Sequence, residues 1–253
     1  MSLLGVVSSS PLLTQTIPSN DGWAFVVQEE SKRWAVSARG AGGVLAVHQG
    51  ATEWTVCTDS FPPSAPITNA WTGDLVVAAA TPQKQGAQVA RSSGWFFIYE
   101  GGIEDVDALC AALEPKWFVR GGYPEDSGKL IFAHVMTNLA EVDSTLADQA
   151  MARVAIDLHR ARSLGPAAFL CSNGTKLYAY AAGHPLLFSN SADAILIGSS
   201  EVLPRGPTTR ELSDGSLVAL ARSPQLGWSI LAEPSPGRSN ESFAAQQARR
   251  GFR

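Results

Sequence analysis

Four histidines and three cysteines are the residues of this chain with the widest chemical range, and their spacing decides what they can do. His48, His134, His159 and His184 fall in separate stretches, and only Asp157 and His159 stand close enough to form even a weak ligand pair. A metal site needs three or four clustered His, Cys or carboxylate groups, so none is expected. Cys57, Cys110 and Cys171 form no metal spacing and cannot all pair with one another. They fit buried thiols in a reducing cytoplasm. Gly40-Ala41-Gly42-Gly43 lacks the lysine and following helix of a phosphate loop and reads as a β-turn. No motif asks for a cofactor. Asn173-Gly174-Thr175 and Asn240-Glu241-Ser242 match glycosylation acceptors, but residues 1–18 have no basic start and no long apolar run, so no signal peptide is expected. His134 lies among apolar residues at helical spacing and is expected to be packed or hydrogen-bonded rather than catalytic. The seven tryptophans are too widely spaced for a ligand box and suit single core or edge positions.

The elements that must position these residues come from periodicity. The 253 residues, 45% apolar and 17% charged, are enough for a sizeable core, which excludes wholesale disorder. A net charge of −4 gives no electrostatic reason to bind nucleic acid or an anionic membrane, and no run of apolar residues is long enough to span a bilayer. Strands are expected at residues 3–8, 23–28, 34–38, 43–48, 74–80 and 95–99, with Pro18, Asn20 and Asp21 in a turn. The period then changes. Helices are expected at 104–113, 126–139 (capped by Asp126 or Ser127) and 144–164. Strands return at 167–172 and 175–182, around the hairpin signal Asn173-Gly174, and at 185–188, 194–198, 216–221 and 228–231. Strand blocks on either side of a helical block suggest a large two-sheet core covered by helices.

Several segments, in order, resemble the class II glutamine amidotransferases, of the N-terminal-nucleophile hydrolases, and most of all the stand-alone bacterial amidotransferases. They are Met1-Ser2-Leu3-Leu4-Gly5-Val6-Val7-Ser8, Asp21-Gly22-Trp23-Ala24, Val77-Ala78-Ala79-Ala80-Thr81 and Trp95 to Ile103. Glu125-Asp126-Ser127-Gly128, Ser172 to Ala179, Gly198 to Leu203 and Ser213 to Leu217 complete the set, so the resemblance runs from residue 1 to about 232. It implies an α+β fold, a four-layer αββα sandwich of two stacked antiparallel sheets.

It also implies a chemistry. In the family an N-terminal cysteine attacks the side-chain amide of glutamine with its own α-amino group as base. An Asn side chain and a Gly N–H stabilise the oxyanion. An Arg and an Asp hold the carboxylate and amine of the substrate. Met1 corresponds to the cysteine and cannot attack. Ser2 is a candidate nucleophile if Met1 is trimmed, but a one-residue slip on a strand reverses the side chain. Glu100 replaces the oxyanion asparagine, Ala78 replaces the arginine, and Tyr99 the preceding histidine. Gly101, the oxyanion N–H, and Asp126, the amine clamp or only a helix cap, are retained.

Three readings follow. The first is an amidotransferase-like protein without glutaminase chemistry, kept as a binding or assembly module whose pocket takes a different small molecule or whose surface meets a protein partner. The second is an active amidohydrolase using Ser2 on an amide other than glutamine. The third is a structural subunit of a homo-oligomer. Residues 1–232 form the expected domain. Residues 233–253, with charge +2 against about −6 for the rest, form an expected disordered tail whose stretch 242–250 folds into a helix on a partner or on a second copy of the chain.

Overall fold

A strand that begins with Ser2 organises the molecule. The computed structural model describes residues 2–19, 22–29, 32–38, 42–49, 53–60, 70–81, 88–92, 94–101, 127–140, 142–161, 165–203, 205–221 and 225–234. The first block contains β1 (Ser2–Ser19), β2 (Gly22–Glu29), β3 (Lys32–Ala38), β4 (Gly42–Gln49), β5 (Glu53–Ser60), β6 (Ala70–Thr81), β7 (Gln88–Ser92) and β8 (Trp95–Gly101). Two helices follow, α1 (Ser127–Ala140) and α2 (Ala147–Ala161). The last block holds β9 (Ala167–Ser172), β10 (Lys176–Ala182), β11 (Leu186–Asn190), β12 (Ala194–Ser199), β13 (Thr209–Glu211), β14 (Ser216–Ala221) and β15 (Gly227–Ala232).

These strands make two sheets with antiparallel ladders. The first runs β13-β11-β12-β1-β6-β4-β5, with β2 and β3 added beside the second half of β1. The second runs β15-β14-β10-β9-β8-β7. The fold is therefore an α+β sandwich of two stacked antiparallel sheets. Alternation along the strands builds its layers. Leu3, Val7, Val77 and Ile197 of the first sheet meet Phe96, Ile98, Leu170 and Leu177 of the second. The opposite face of the second sheet (Phe97, Tyr99, Phe169, Tyr178, Tyr180) packs against Ile131 and Val135 of α1 and Met151, Val154 and Leu158 of α2. The far face of the first sheet buries Leu4, Val6, Val76, Ala78, Leu187 and Leu203. The helix expected at 104–113 lies outside the described residues.

β1 is longer than expected because it serves two sets of neighbours. Its first part pairs with β12 and β6. After a register shift between Val7 and Leu12 it pairs with β2 and β6. Pro11 lies within that irregularity, where a missing N–H breaks no regular ladder. Pro18 belongs to β1, opposite Trp23, and not to the turn. β5, β7 and β13 were not expected. Each is an edge strand with charged residues, and such strands lack a clear apolar alternation.

The helix expected over 144–164 opens instead with a 3₁₀ turn, Ser144–Leu146. There the Asp143 carboxylate accepts the Thr145 N–H at 3.0 Å and its hydroxyl at 3.2 Å, satisfying an orphan donor of the first turn. Asp148 then fastens α2 to the second sheet, accepting the Tyr178 hydroxyl at 2.8 Å and the Lys176 ammonium at 2.7 Å. The β9–β10 hairpin forms at Asn173-Gly174, and the Asn173 carboxamide oxygen accepts the N–H groups of Thr175 and Lys176 at 3.0 Å. Gly174 has φ +86°, and a Cβ there would overlap the His48 ring of β4, so this turn accepts only glycine.

Candidate functional site

The sequence Trp95-Phe96-Phe97-Ile98-Tyr99-Glu100 continues its own alternation to the end of β8. Phe96 and Ile98 face the other sheet, while Phe97 and Tyr99 face the helices. Glu100 shares the parity of Phe96 and Ile98 and is only 6% exposed. A carboxylate so placed needs a partner, because burying an isolated charge is far too unfavourable. His184 supplies it, with Nε2 at 3.2 Å from Glu100 Oε1.

His184 sits where the chain leaves the second sheet after β10 to enter the first as β11. The crossover is fixed by Gly183, with φ +59°, whose N–H donates to the Asp214 carboxylate. The hydrogen bond to Glu100 raises the His184 pKa above its ordinary value, against the opposing effect of burial and with help from Glu201. Glu201 follows β12. Burial pushes its carboxyl up, but hydrogen bonds from the Ser199 hydroxyl and its own backbone, with the charge of His184, bring it below the ordinary value. The Ser199 hydroxyl oxygen also accepts the Leu3 N–H at 3.2 Å, tying the start of β1 to the end of β12. Glu100, His184, Ser199 and Glu201 thus gather near the start of β1.

Gly101 closes β8 with φ +130°, and a Cβ would overlap the Pro166 carbonyl oxygen, so the backbone position requires glycine. Ala78 lies elsewhere. It pairs with Leu4 of β1 and Leu45 of β4, and its methyl packs with Leu4, Val6 and Leu187 on the first sheet's far face. The structure therefore brings Gly101 and Glu100 together but leaves Ala78 on the other side of the sheet from Glu100. Ser2 opens β1 opposite Ala80 and has the strand parity of Leu4 and Val6, not that of Leu3 and Val7. Asp126 lies outside the described residues.

His184 and Glu201 were not singled out in the sequence as site residues. The usable signal was Glu100 itself, since a carboxylate at an inward strand position calls for a cationic partner from elsewhere in the chain. His134 is buried, with Nδ1 at 3.0 Å from Asn138 Nδ2 and Nε2 at 3.5 Å from Asp157 Oδ2, the packed and hydrogen-bonded role expected of it. Cys171 is a free, buried thiol whose pKa burial pushes well up, and so is unreactive. Among the described residues no three His, Cys, Asp or Glu side chains are grouped to hold a metal ion. No described helix is long and apolar enough to cross a membrane.

This arrangement of sheets has known structural counterparts. The chain is similar to a glutamine amidotransferase class-II domain protein from Silicibacter pomeroyi, with 14% identity and TM-score 0.54 over 92% of this chain and 100% of that one. It is similar to a predicted glutamine amidotransferase from Pseudomonas aeruginosa, with 14% identity and TM-score 0.56 over the same shares. It is also similar to glutamine phosphoribosylpyrophosphate amidotransferase from B. subtilis, with 11% identity and TM-score 0.56 over 92% of this chain and 50% of that one. No family model and no curated protein sequence matches. The chain has a glutamine amidotransferase-like fold.

Proposed function

We propose that this protein has the class II amidotransferase framework without its glutaminase chemistry, and acts as a binding or assembly module in the cytoplasm. The observation that carries this reading is the buried carboxylate of Glu100, paired with His184 at 3.2 Å. Amide hydrolysis builds negative charge on the carbonyl oxygen, and the site must donate hydrogen bonds to it. Loss of one such donor typically lowers the rate by ~10²–10³-fold, and a carboxylate at that position repels the oxyanion as well. Two further features support the reading. The methyl group of Ala78 cannot pair with a substrate carboxylate and packs on the first sheet's far face. Ser2 has the wrong parity to stand in for a nucleophile four residues before Gly5. Residues 1–232 form the module and the basic segment 233–253 an arm for a protein partner.

Purified protein given millimolar glutamine is expected to release no ammonia above background. Ala78→Arg alone does not restore release, because position 78 lies on the first sheet's far face and Glu100 still opposes the oxyanion. Steady ammonia release that Ser2→Ala abolishes would overturn the proposal in favour of an active amidohydrolase.

A further inference from the structure

Five strands have a ladder on one side only among the described residues: β3, β5, β7, β13 and β15. Open edges are templates for pairing with another chain, and proteins guard them with charged residues, proline or shortness. Four of the five are guarded. β3 carries Lys32 and Arg33, β5 carries Glu53 and Asp59, and β7 carries Arg91. β13 is three residues long and contains Arg210 and Glu211. β15 reads Gly-Trp-Ser-Ile-Leu-Ala, with no charge and no proline.

The unguarded edge is also apolar. Trp228 and Ile230 are 39% and 46% exposed, and among the described residues few large apolar side chains are. They lie on the same side of the strand, opposite Leu220 and Val218 of β14. Trp228 is held in place by Phe188 of the first sheet, with ring centroids 4.8 Å apart, and so presents an ordered surface. The register irregularity with β14 falls beyond Ile230, which leaves the Trp228–Ile230 stretch regular.

We propose that β15 pairs antiparallel with β15 of a second copy of this chain about a two-fold axis near Ser229, joining the two six-stranded sheets into one. Self-pairing brings a strand's own residues face to face, so a charge near the axis meets a like charge or a close neighbour. An uncharged strand escapes this repulsion, and β15 is the one open edge of the five that does. With the axis at Ser229, Trp228 of each copy stands opposite Ile230 of the other. That aromatic–β-branched pair is among the favourable cross-strand pairs, and the symmetry makes it twice.

Sedimentation of the full chain over a range of concentrations tests this. A dimer is expected, and Ile230→Lys is expected to weaken it roughly tenfold or more, since it sets a charge against a tryptophan in a closed interface. Ile156→Lys, at an exposed position on α2, leaves the dimer intact. W228E/I230K sets opposite charges across the axis and restores dimerisation, whereas W228K/I230K does not. Circular dichroism confirms that each variant is folded. A wild-type monomer at every concentration overturns the proposal, whether the chain's own C-terminal segment or a different protein then covers the edge. So does a dimer that Ile230→Lys leaves unchanged or that Ile156→Lys breaks. Failure of W228E/I230K to restore association overturns the pairing about Ser229.

Discussion

Two imidazole–carboxylate contacts in this molecule have similar geometry and opposite burial. Between the helices, His134 Nε2 lies 3.5 Å from Asp157 Oδ2, with the histidine side chain 2% exposed and the aspartate 34%. At the end of β8, His184 Nε2 lies 3.2 Å from Glu100 Oε1, with the histidine 30% exposed and the glutamate 6%. In the first pair the buried partner is the one that needs no charge. A neutral ring satisfies both contacts there, accepting the Asn138 amide at Nδ1 and directing an Nε2–H towards Asp157. In the second pair the buried partner is a carboxylate, whose desolvation only a cation offsets well. Packing alone accounts for the helical pair. It does not account for a carboxylate at an inward position of a strand otherwise lined with phenylalanine and isoleucine.

Breaking each pair from one side sharpens the contrast. His184→Ala strands the buried Glu100 charge and is expected to destabilise the fold by about 3 kcal/mol, read from the urea midpoint. Adding Glu100→Gln to His184→Ala recovers most of that loss, because the stranded charge is gone. If His184→Ala proves as mild as a surface substitution, Glu100 is not held by His184 and the contrast fails.

A pH series separates the pairs next. The His184 pKa is raised above its ordinary 6.5 by Glu100. Its contribution to stability is therefore complete below about 6.5 and fades as pH rises through the raised native value. Titration of the imidazole signals by NMR checks this, and Glu100→Gln should bring the His184 value down. A His184 titration that Glu100→Gln does not move would break the assignment.

Asp157→Asn on the helical side is expected to cost under about 1 kcal/mol, since its carboxylate is a third exposed and the ring keeps its Asn138 contact. The smallest effect belongs outside both pairs. Deleting residues 234–253 is expected to leave the melting temperature nearly unchanged while reducing association with a partner, as a calorimetric scan and a binding assay can show.

Much of the framework was legible in the chain. The hairpin at Asn173-Gly174, the strands at 167–172 and 216–221, and the apolar faces of both described helices follow from turn chemistry and from periods of two and 3.6. β5, β7 and β13 were not legible, because these three edge strands carry charged residues and lack a clear apolar alternation. The resemblance marked Glu100, Gly101 and Ala78 as substituted or retained positions, and in the structure the first two adjoin one another at the end of β8.

By itself the sequence pointed to most of the strands, to the apolar faces of the two described helices and to a two-sheet core, and it shows Glu100 and Ala78 standing where the resemblance asks for an asparagine and an arginine. Only the tertiary structure decided that Glu100 meets His184, that Ala78 looks away from both, and that β15 ends as an uncharged open edge. Local periodicity says which residues share a face. Which strand ends a sheet, and which distant side chain stands opposite a given one, follow from register and from how the layers stack.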